Sequence, residues 1–218
     1  MSTICIIPAR SGSVRLPNKN LRPFCWKPLL EWTLEQALRL KNEKIIDEVV
    51  LTTDYAYEEM RAAGISIHTI PTTPHGPLRR FVDVFYHARR HSLVGPDVPM
   101  AKVIADVLAS GPGWPSLVVL LQPTSPTRTD EAVRRCIQKA RNAGDLCFTV
   151  YPGDPPGRCA NGACYAFPPH RMPSGDPGPL AESGDISGFD VLTTDDIDIN
   201  TVADFEAAEK VMRERLAQ

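Results

Sequence analysis

Arg10, Arg15 and Lys19 lie close together in I-C-I-I-P-A-R-S-G-S-V-R-L-P-N-K-N, the stretch from Ile4 to Asn20. Gly12 and Ser13 sit between them and keep the backbone open. A loop of this kind at the carboxyl end of a strand can aim amide N–H groups at phosphate oxygens, while the cations neutralise the remaining charge. The same residues also describe a basic surface loop, and composition alone does not separate the two. A second set lies near the other end, where D-D-I-D-I-N-T places Asp196, Asp198 and Asn200 on one face of an extended segment. That pattern suits a magnesium corner or a strand edge guarded by acids. A third set, Gln122, Thr124, Ser125 and Arg128, follows the apolar run L-V-V-L-L. Ligands of open α/β sheets sit beyond the carboxyl ends of the central strands, which makes these four candidate ligand residues, although turn chemistry explains the flanking prolines equally well. His87 and His91 are spaced to share a helix face, but with no third ligand nearby a solvated basic face outweighs a zinc site.

The elements that must position these residues alternate between strand and helix. Leu30, Leu34, Ala37 and Leu38 recur at helical spacing, with Trp26 and Trp32 expected in the core or at a seam. Strands are expected at Ile45 to Thr52, Ile65 to Ile70, Leu117 to Leu121 and Leu146 to Val150. Helices are expected at Tyr57 to Ala63, Leu78 to Arg90, Met100 to Ala109, Asp130 to Asn142 and Val202 to Leu216. Thr129 is placed to cap the fourth of these, with acids in its first turn. Asp54, at the end of the second strand, is expected to support the opening loop structurally. The alternation implies a mostly parallel sheet. From Pro152 to Pro179 proline and glycine dominate, broken by N-G-A-C-Y-A-F, which reads as one short strand in an otherwise ordered loop.

A chain of 218 residues suits a single domain, here 1–218, with 151–190 as a short Pro/Gly-rich segment. The formal charge of −2 and the lack of a basic block argue against a nucleic-acid partner. The first residues offer no apolar run of membrane-spanning length, so no membrane partner and a cytoplasmic location are expected. Six cysteines without a C-x-x-C pair then read as free thiols.

Three stretches in this order, I-P-A-R-S-G-S-V-R-L-P-N-K-N-L-R-P-F, L-L-Q-P-T-S-P-T-R and D-I-D-I-N-T-V-A-D-F-E-A-A-E, resemble the cytidylyltransferases typified by CMP-N-acetylneuraminate (CMP-sialic acid) synthetase. The resemblance implies an enzyme of Rossmann-like α/β nucleotidyltransferase fold, its mostly parallel sheet covered by helices on both faces. It implies transfer of CMP from CTP to an acidic acceptor with release of pyrophosphate, and Mg²⁺ as cofactor. It assigns Ala9, Arg10, Gly12, Ser13, Arg15, Lys19, Asn20 and Arg90 to CTP, and Gln122, Ser125 and Asn161 to the acceptor. Asp198 and Asn200 are assigned to the metal, with Arg10, Lys19 and Asp198 as the catalytic set.

The chain departs from the family pattern at Val14, where a lysine is usual, and at Asn200, where a second aspartate is usual. Arg15 is the residue that could restore the loop's charge. Between Val150 and Asn161 the long arm that dimerises and closes over a nine-carbon acceptor is reduced, so monomer and homodimer are both open. A smaller acceptor and a missing carboxylate suit an acceptor that arrives ionised. The chain also resembles the phosphonate cytidylyltransferases, which makes a small phosphonate such as phosphonoformate the favoured acceptor. The alternatives are a nonulosonic acid such as sialic acid, a degenerate module that binds CTP without turnover, and a UTP-using sugar-phosphate enzyme.

Overall fold

The computed structural model describes residues 2–66, 78–80, 83–95, 97–111, 113–152, 160–172 and 190–218. Their centre is an eight-stranded sheet formed by β1 (Thr3–Ala9), β4 (Glu48–Thr53), β5 (Leu78–Arg80), β6 (Phe85–Ala88), β7 (Leu117–Leu121), β8 (Cys147–Val150), β9 (Ala160–Phe167) and β10 (Asp190–Thr193). A small hairpin, β2 (Pro23–Phe24) with β3 (Lys27–Pro28), stands apart from it. The order β10-β8-β9-β7-β1-β4-β6-β5 contains a parallel run β7-β1-β4-β6. β10 is parallel to β8, whereas β9 is antiparallel to both neighbours and β5 to β6. The chain moves outward from β1 to β4 and β6, then crosses back to β7 on the other side. The crevice beyond β1 and β7 is therefore the topological switch point, where ligands of open α/β sheets bind.

Alternation along β1 explains why helices cover both faces. Cys5, Ile7 and Ala9 join α1 (Leu29–Asn42), α2 (Tyr57–Ala62) and α4 (Asp130–Ala143) in one buried cluster. Ile4 and Ile6 turn the other way and pack with Ile104, Val107 and Leu108 of α3 (Met100–Ser110). β7, the all-apolar run, has every residue buried, as a strand covered on both faces must. Thr129 caps α4 as expected, its hydroxyl accepting from the Ala132 amide at 3.1 Å, and left-handed Gly144 ends the helix. A third cluster joins Leu16, Phe24, Cys25 and Leu29 to Ile199, Phe205, Ala208 and Met212, so α5 (Val202–Leu216) packs on the loop that opens the chain. No helix among the described residues is long and apolar enough to cross a membrane.

Two expectations are corrected. Residues 78–90 do not form a helix: Leu78–Arg80 and Phe85–Ala88 are strands, the second paired with β4 from Val50↔Phe85 to Thr53↔Ala88. Aromatic Phe85 and Tyr86 suit a pleated surface, and the backbone ladder to β4 outweighs the helical spacing of the apolar residues. His87 is accordingly buried in a strand, not displayed on a helix beside His91. Trp26 is not a core residue, being 70% exposed at the tip of the β2–β3 hairpin. That tight turn needs positive φ at both central residues, and Cys25 and Trp26 supply 43° and 66°. Docking holds the strained turn, since the Cys25 amide donates to Glu209 Oε1 of α5 at 3.0 Å. The strand expected at Ile65 to Ile70 lies mostly outside the described residues. Most of the Pro/Gly-rich segment does too, but its one expected strand is β9, inserted between β7 and β8. Cys5, Cys25, Cys136, Cys147 and Cys164 are free buried thiols.

Candidate active site

Beyond the carboxyl ends of β1 and β7 lies a cavity of about 410 Å³. Its wall carries the cations Arg10, Arg15, Lys19 and Arg89 with a single carboxylate, Asp198, among the described residues. The opening loop is tied down at both ends. At its start, the Ser11 amide and hydroxyl donate to the Asp54 carboxylate at 2.8 and 2.5 Å, so Asp54 braces the loop from the end of β4. Towards its end, buried Asn20 donates from Nδ2 to the Arg10 carbonyl at 2.9 Å. Between these ties Ser13, Val14 and Arg15 face the cavity, Val14 with 81% of its surface exposed. Ala9 is buried in β1, and a Cβ on exposed Gly12 would meet no atom within 4 Å.

Lys19 Nζ donates to the Ile199 carbonyl at 2.5 Å, linking the loop to the acidic segment before α5. Burial lowers the Lys19 pKa; Asp198 opposes that, and Arg15 and Arg10 add to the lowering. Burial likewise brings Arg89 down to about 10, against the pull of Asp54 and with a further push from Arg10, which leaves it protonated at neutral pH. Arg90, one residue on, points elsewhere and pairs with Asp106 Oδ1 of α3 at 3.2 Å.

The Asp198 to Asn200 segment is fixed by the start of α5. Asp204 accepts from the Asn200 and Thr201 amides at 2.9 and 2.7 Å, and the Thr201 hydroxyl caps the helix in return. Asn200 Nδ2 donates to Asp198 Oδ2 at 2.6 Å, and Asn200 Oδ1 accepts from Arg15 at 2.7 Å. Asp198 Oδ1 is left buried with no protein partner among the described residues. An orphaned carboxylate oxygen in a cavity walled by four cations suits a divalent ion that takes its other ligands from phosphate and water, as Mg²⁺ commonly does. Asn200 Oδ1, expected as the second ligand, is already occupied by Arg15. Asp196 is buried and lines a different cleft with Thr129 and Arg135, so it does not share the face of Asp198.

On the β7 side the wall is Gln122, Pro123 and Thr124, with Met100 of α3 nearby. Ser125 is fully buried behind this turn, its amide donating to the Gln122 carbonyl. Arg128 is buried as well and acts as an internal brace. It donates to the carbonyls of Gln122 and Ala163 at 3.2 and 2.5 Å and to Gln36 Oε1 at 2.7 Å. Asn161 is engaged with its own sheet, donating to Thr194 Oγ1 at 2.7 Å and accepting from the Ala163 amide at 3.2 Å. Its neighbour Gly162 comes closer to the cavity: at φ 73°, a Cβ there would lie 3.3 Å from Gln122 Oε1 and 3.7 Å from Asp198 Cγ. Sequence reasoning missed Gly162 and Arg89. N-G-A offered a signal for the first, and the R-R pair at 89–90 for the second.

The mostly parallel sheet with a crevice at its switch point has the Rossmann-like fold of the nucleotidyltransferases of known structure that it superposes on. CMP:2-keto-3-deoxy-manno-octonic acid synthetase in complex with CTP superposes with a TM-score of 0.65, at 16% identity, over 99% of this chain and 100% of that one. Rv0371c from Mycobacterium tuberculosis H37Rv, in complex with manganese, superposes with a TM-score of 0.61 at 18% identity, over 96% of this chain and 99% of that one. Residues 4–91 match the cytidylyltransferase family. Pseudaminic acid cytidylyltransferase of Campylobacter jejuni is 52% identical over 54 residues, 25% of this chain and 22% of the relative. CMP-N,N'-diacetyllegionaminic acid synthase of Legionella pneumophila is 28% identical over 155 residues, 70% of this chain and 59% of the relative. For both of these sequence relatives the match spans less than two thirds of the relative's length.

Proposed function

We propose that this pocket binds CTP and that the protein transfers CMP from it to an acidic acceptor, releasing pyrophosphate. The observation that carries this reading is one cavity whose wall holds Arg10, Arg15, Lys19 and Arg89 together with the orphaned oxygen of Asp198. An acceptor oxygen forms a bond to the α-phosphorus while the bond from that phosphorus to the bridging oxygen breaks, and the electron pair leaves with pyrophosphate. Such a reaction asks the protein for positioning and for charge stabilisation on the β- and γ-phosphates. Arg10 and Lys19 supply fixed cations from the loop. Arg15 takes the place that Val14 leaves empty, and its link to Asn200 orients it. A divalent ion, Mg²⁺ in this reading, held by Asp198 Oδ1 and phosphate oxygens, would neutralise charge near the α-phosphate. Gln122 and Thr124 face the side from which the acceptor approaches.

The favoured acceptor is a small phosphonate, whose attacking oxygen is anionic before it binds. Support comes from the scarcity of bases: the described wall holds no histidine, and its one carboxylate has an oxygen occupied by Asn200. A sugar acid is the second reading, favoured by the acceptors in the relatives' names. Incubation with CTP and Mg²⁺ and each of phosphonoformate, sialic acid, 3-deoxy-manno-octulosonate and pseudaminic acid, with pyrophosphate followed, tests both. Turnover with phosphonoformate is expected. Turnover with sugar acids alone contradicts the acceptor preference and leaves CMP transfer standing. CTP binding without pyrophosphate from any acid indicates a binding module, and faster turnover with UTP than with CTP contradicts the nucleotide assignment.

A further inference from the structure

Arg89 is held in the cavity wall from behind. Its amide continues the β4–β6 ladder by donating to the Thr53 carbonyl at 2.9 Å, and its Nε donates to Thr52 Oγ1 at 3.3 Å. Thr52 and His87 are direct partners in the β4–β6 register, and both are fully buried. Thr52 Oγ1 lies 3.0 Å from His87 Nδ1. A guanidinium can only donate, so the Thr52 oxygen accepts from Arg89, which leaves its one proton free to go to His87 Nδ1. The His87 tautomer with a bare Nδ1 and its proton on Nε2 turns an N–H rather than a lone pair towards the carboxylate packed against the ring. That nitrogen faces Asp106 Oδ2 of α3 at 3.2 Å, an electrostatic contact short of a well-aligned hydrogen bond. The other Asp106 oxygen holds Arg90. Burial lowers the His87 pKa against the pull of Asp106, in keeping with a neutral ring.

We infer that Thr52, His87 and Asp106 are positioning residues that hold Arg89 in the pocket wall, so that the grip of the pocket on a polyphosphate is set in part by a buried relay from α3. None of the three lines the cavity. Their effect on a ligand passes through Arg89, and the direction of each proton in the relay follows from the tautomer that places the His87 N–H towards Asp106. The inference rests on the proposed CTP reading only for the nature of the anion.

The tautomer is tested without any ligand. Imidazole nitrogen shifts at neutral pH are expected to show His87 protonated on Nε2 with Nδ1 bare, and a proton on Nδ1 overturns the relay. Affinity is then measured by calorimetry with CTP and, separately, with inorganic tripolyphosphate. Thr52→Val and His87→Leu are each expected to weaken both ligands about tenfold, the scale of one hydrogen bond to a charged group. Thr52→Ser keeps the hydroxyl and His87→Asn keeps an acceptor near the Nδ1 position, so both should stay within about twofold of the parent. In an Arg89→Lys background the Thr52→Val and His87→Leu changes should cost nothing further, as for residues acting through one group. Equal losses in both backgrounds, or no loss of tripolyphosphate affinity in the parent, overturn the inference. A parent protein that binds tripolyphosphate but not CTP refutes the CTP reading instead and leaves the relay open to the same tests.

Discussion

Asn200 stands two residues after Asp198, and an amide there changes what both of its neighbours do. Its Nδ2 holds one oxygen of Asp198 and its Oδ1 holds Arg15, so the amide orients a carboxylate and a cation at once. An aspartate could accept from Arg15 but could not donate to Asp198. The remaining Asp198 oxygen is buried without a partner among the described residues. Asp198→Asn should therefore lower kcat on the order of 10²-fold and abolish the enhancement of Mn²⁺ relaxation on ion binding. Asn200→Ala should weaken Mn²⁺ binding much less, and equal losses from the two variants would argue for direct coordination by Asn200. Lys19 adds a pH dependence. Its pKa is lowered from 10.5, so the folded protein carries fewer protons than the unfolded chain between the lowered value and 10.5. Folding stability through this group therefore rises as pH climbs across that window, while the cation that would hold CTP is lost. CTP affinity should weaken at a lower pH than an ordinary lysine would set, and Lys19→Arg should remove that alkaline limb in a calorimetric titration.

Among the elements, β9 brings the two halves of the site together. Gly162 lets the strand pass close to Gln122 and Asp198 with a positive φ that a side chain would strain. Gly162→Ala should cost on the order of 1 kcal/mol in thermal unfolding and lower turnover by a larger factor than that loss implies, because the new methyl displaces the Gln122 side chain. Unchanged kcat at a lowered Tm would confine Gly162 to a backbone role. The legibility of the elements follows the locality of their causes. β7, α4 and α5 could be read from sequence because an apolar run, a capping threonine and a helical period are each contiguous. β6 could not, because only its ladder with β4 distinguishes it from a helix. The same limit applies to side chains. Arg128 and Asn161 sit in motifs that point to a ligand, yet their polar atoms are taken up by Gln36, Ala163 and Thr194, partners distant in the chain. Arg89 and Arg90 differ by one step along an extended backbone, enough to send one to the cavity and the other to Asp106.

At the scale of the whole molecule, the last helix closes the first loop. Phe205 of α5 meets Phe24 edge-on with ring centroids 5.2 Å apart, and Arg22 lies over the same Phe205 ring at 5.2 Å. Together with the Lys19 to Ile199 bond, this packing sets the separation between the loop cations and Asp198. Phe205→Ala should cost about 3–5 kcal/mol of stability by denaturant unfolding and weaken CTP binding at temperatures where the variant is still folded. A stability loss with unchanged CTP affinity would show that the loop keeps its geometry without α5.

The chemistry of the pocket is tested most directly by following two labels. With CTP, Mg²⁺ and each of the acids named above in turn, CTP labelled at the α-phosphorus should pass its label to an acceptor, and CTP labelled at the γ-phosphorus should yield labelled pyrophosphate. Transfer of the γ-label to the acceptor, or retention of both labels in CTP with every acid, would contradict nucleotidyl transfer at this site.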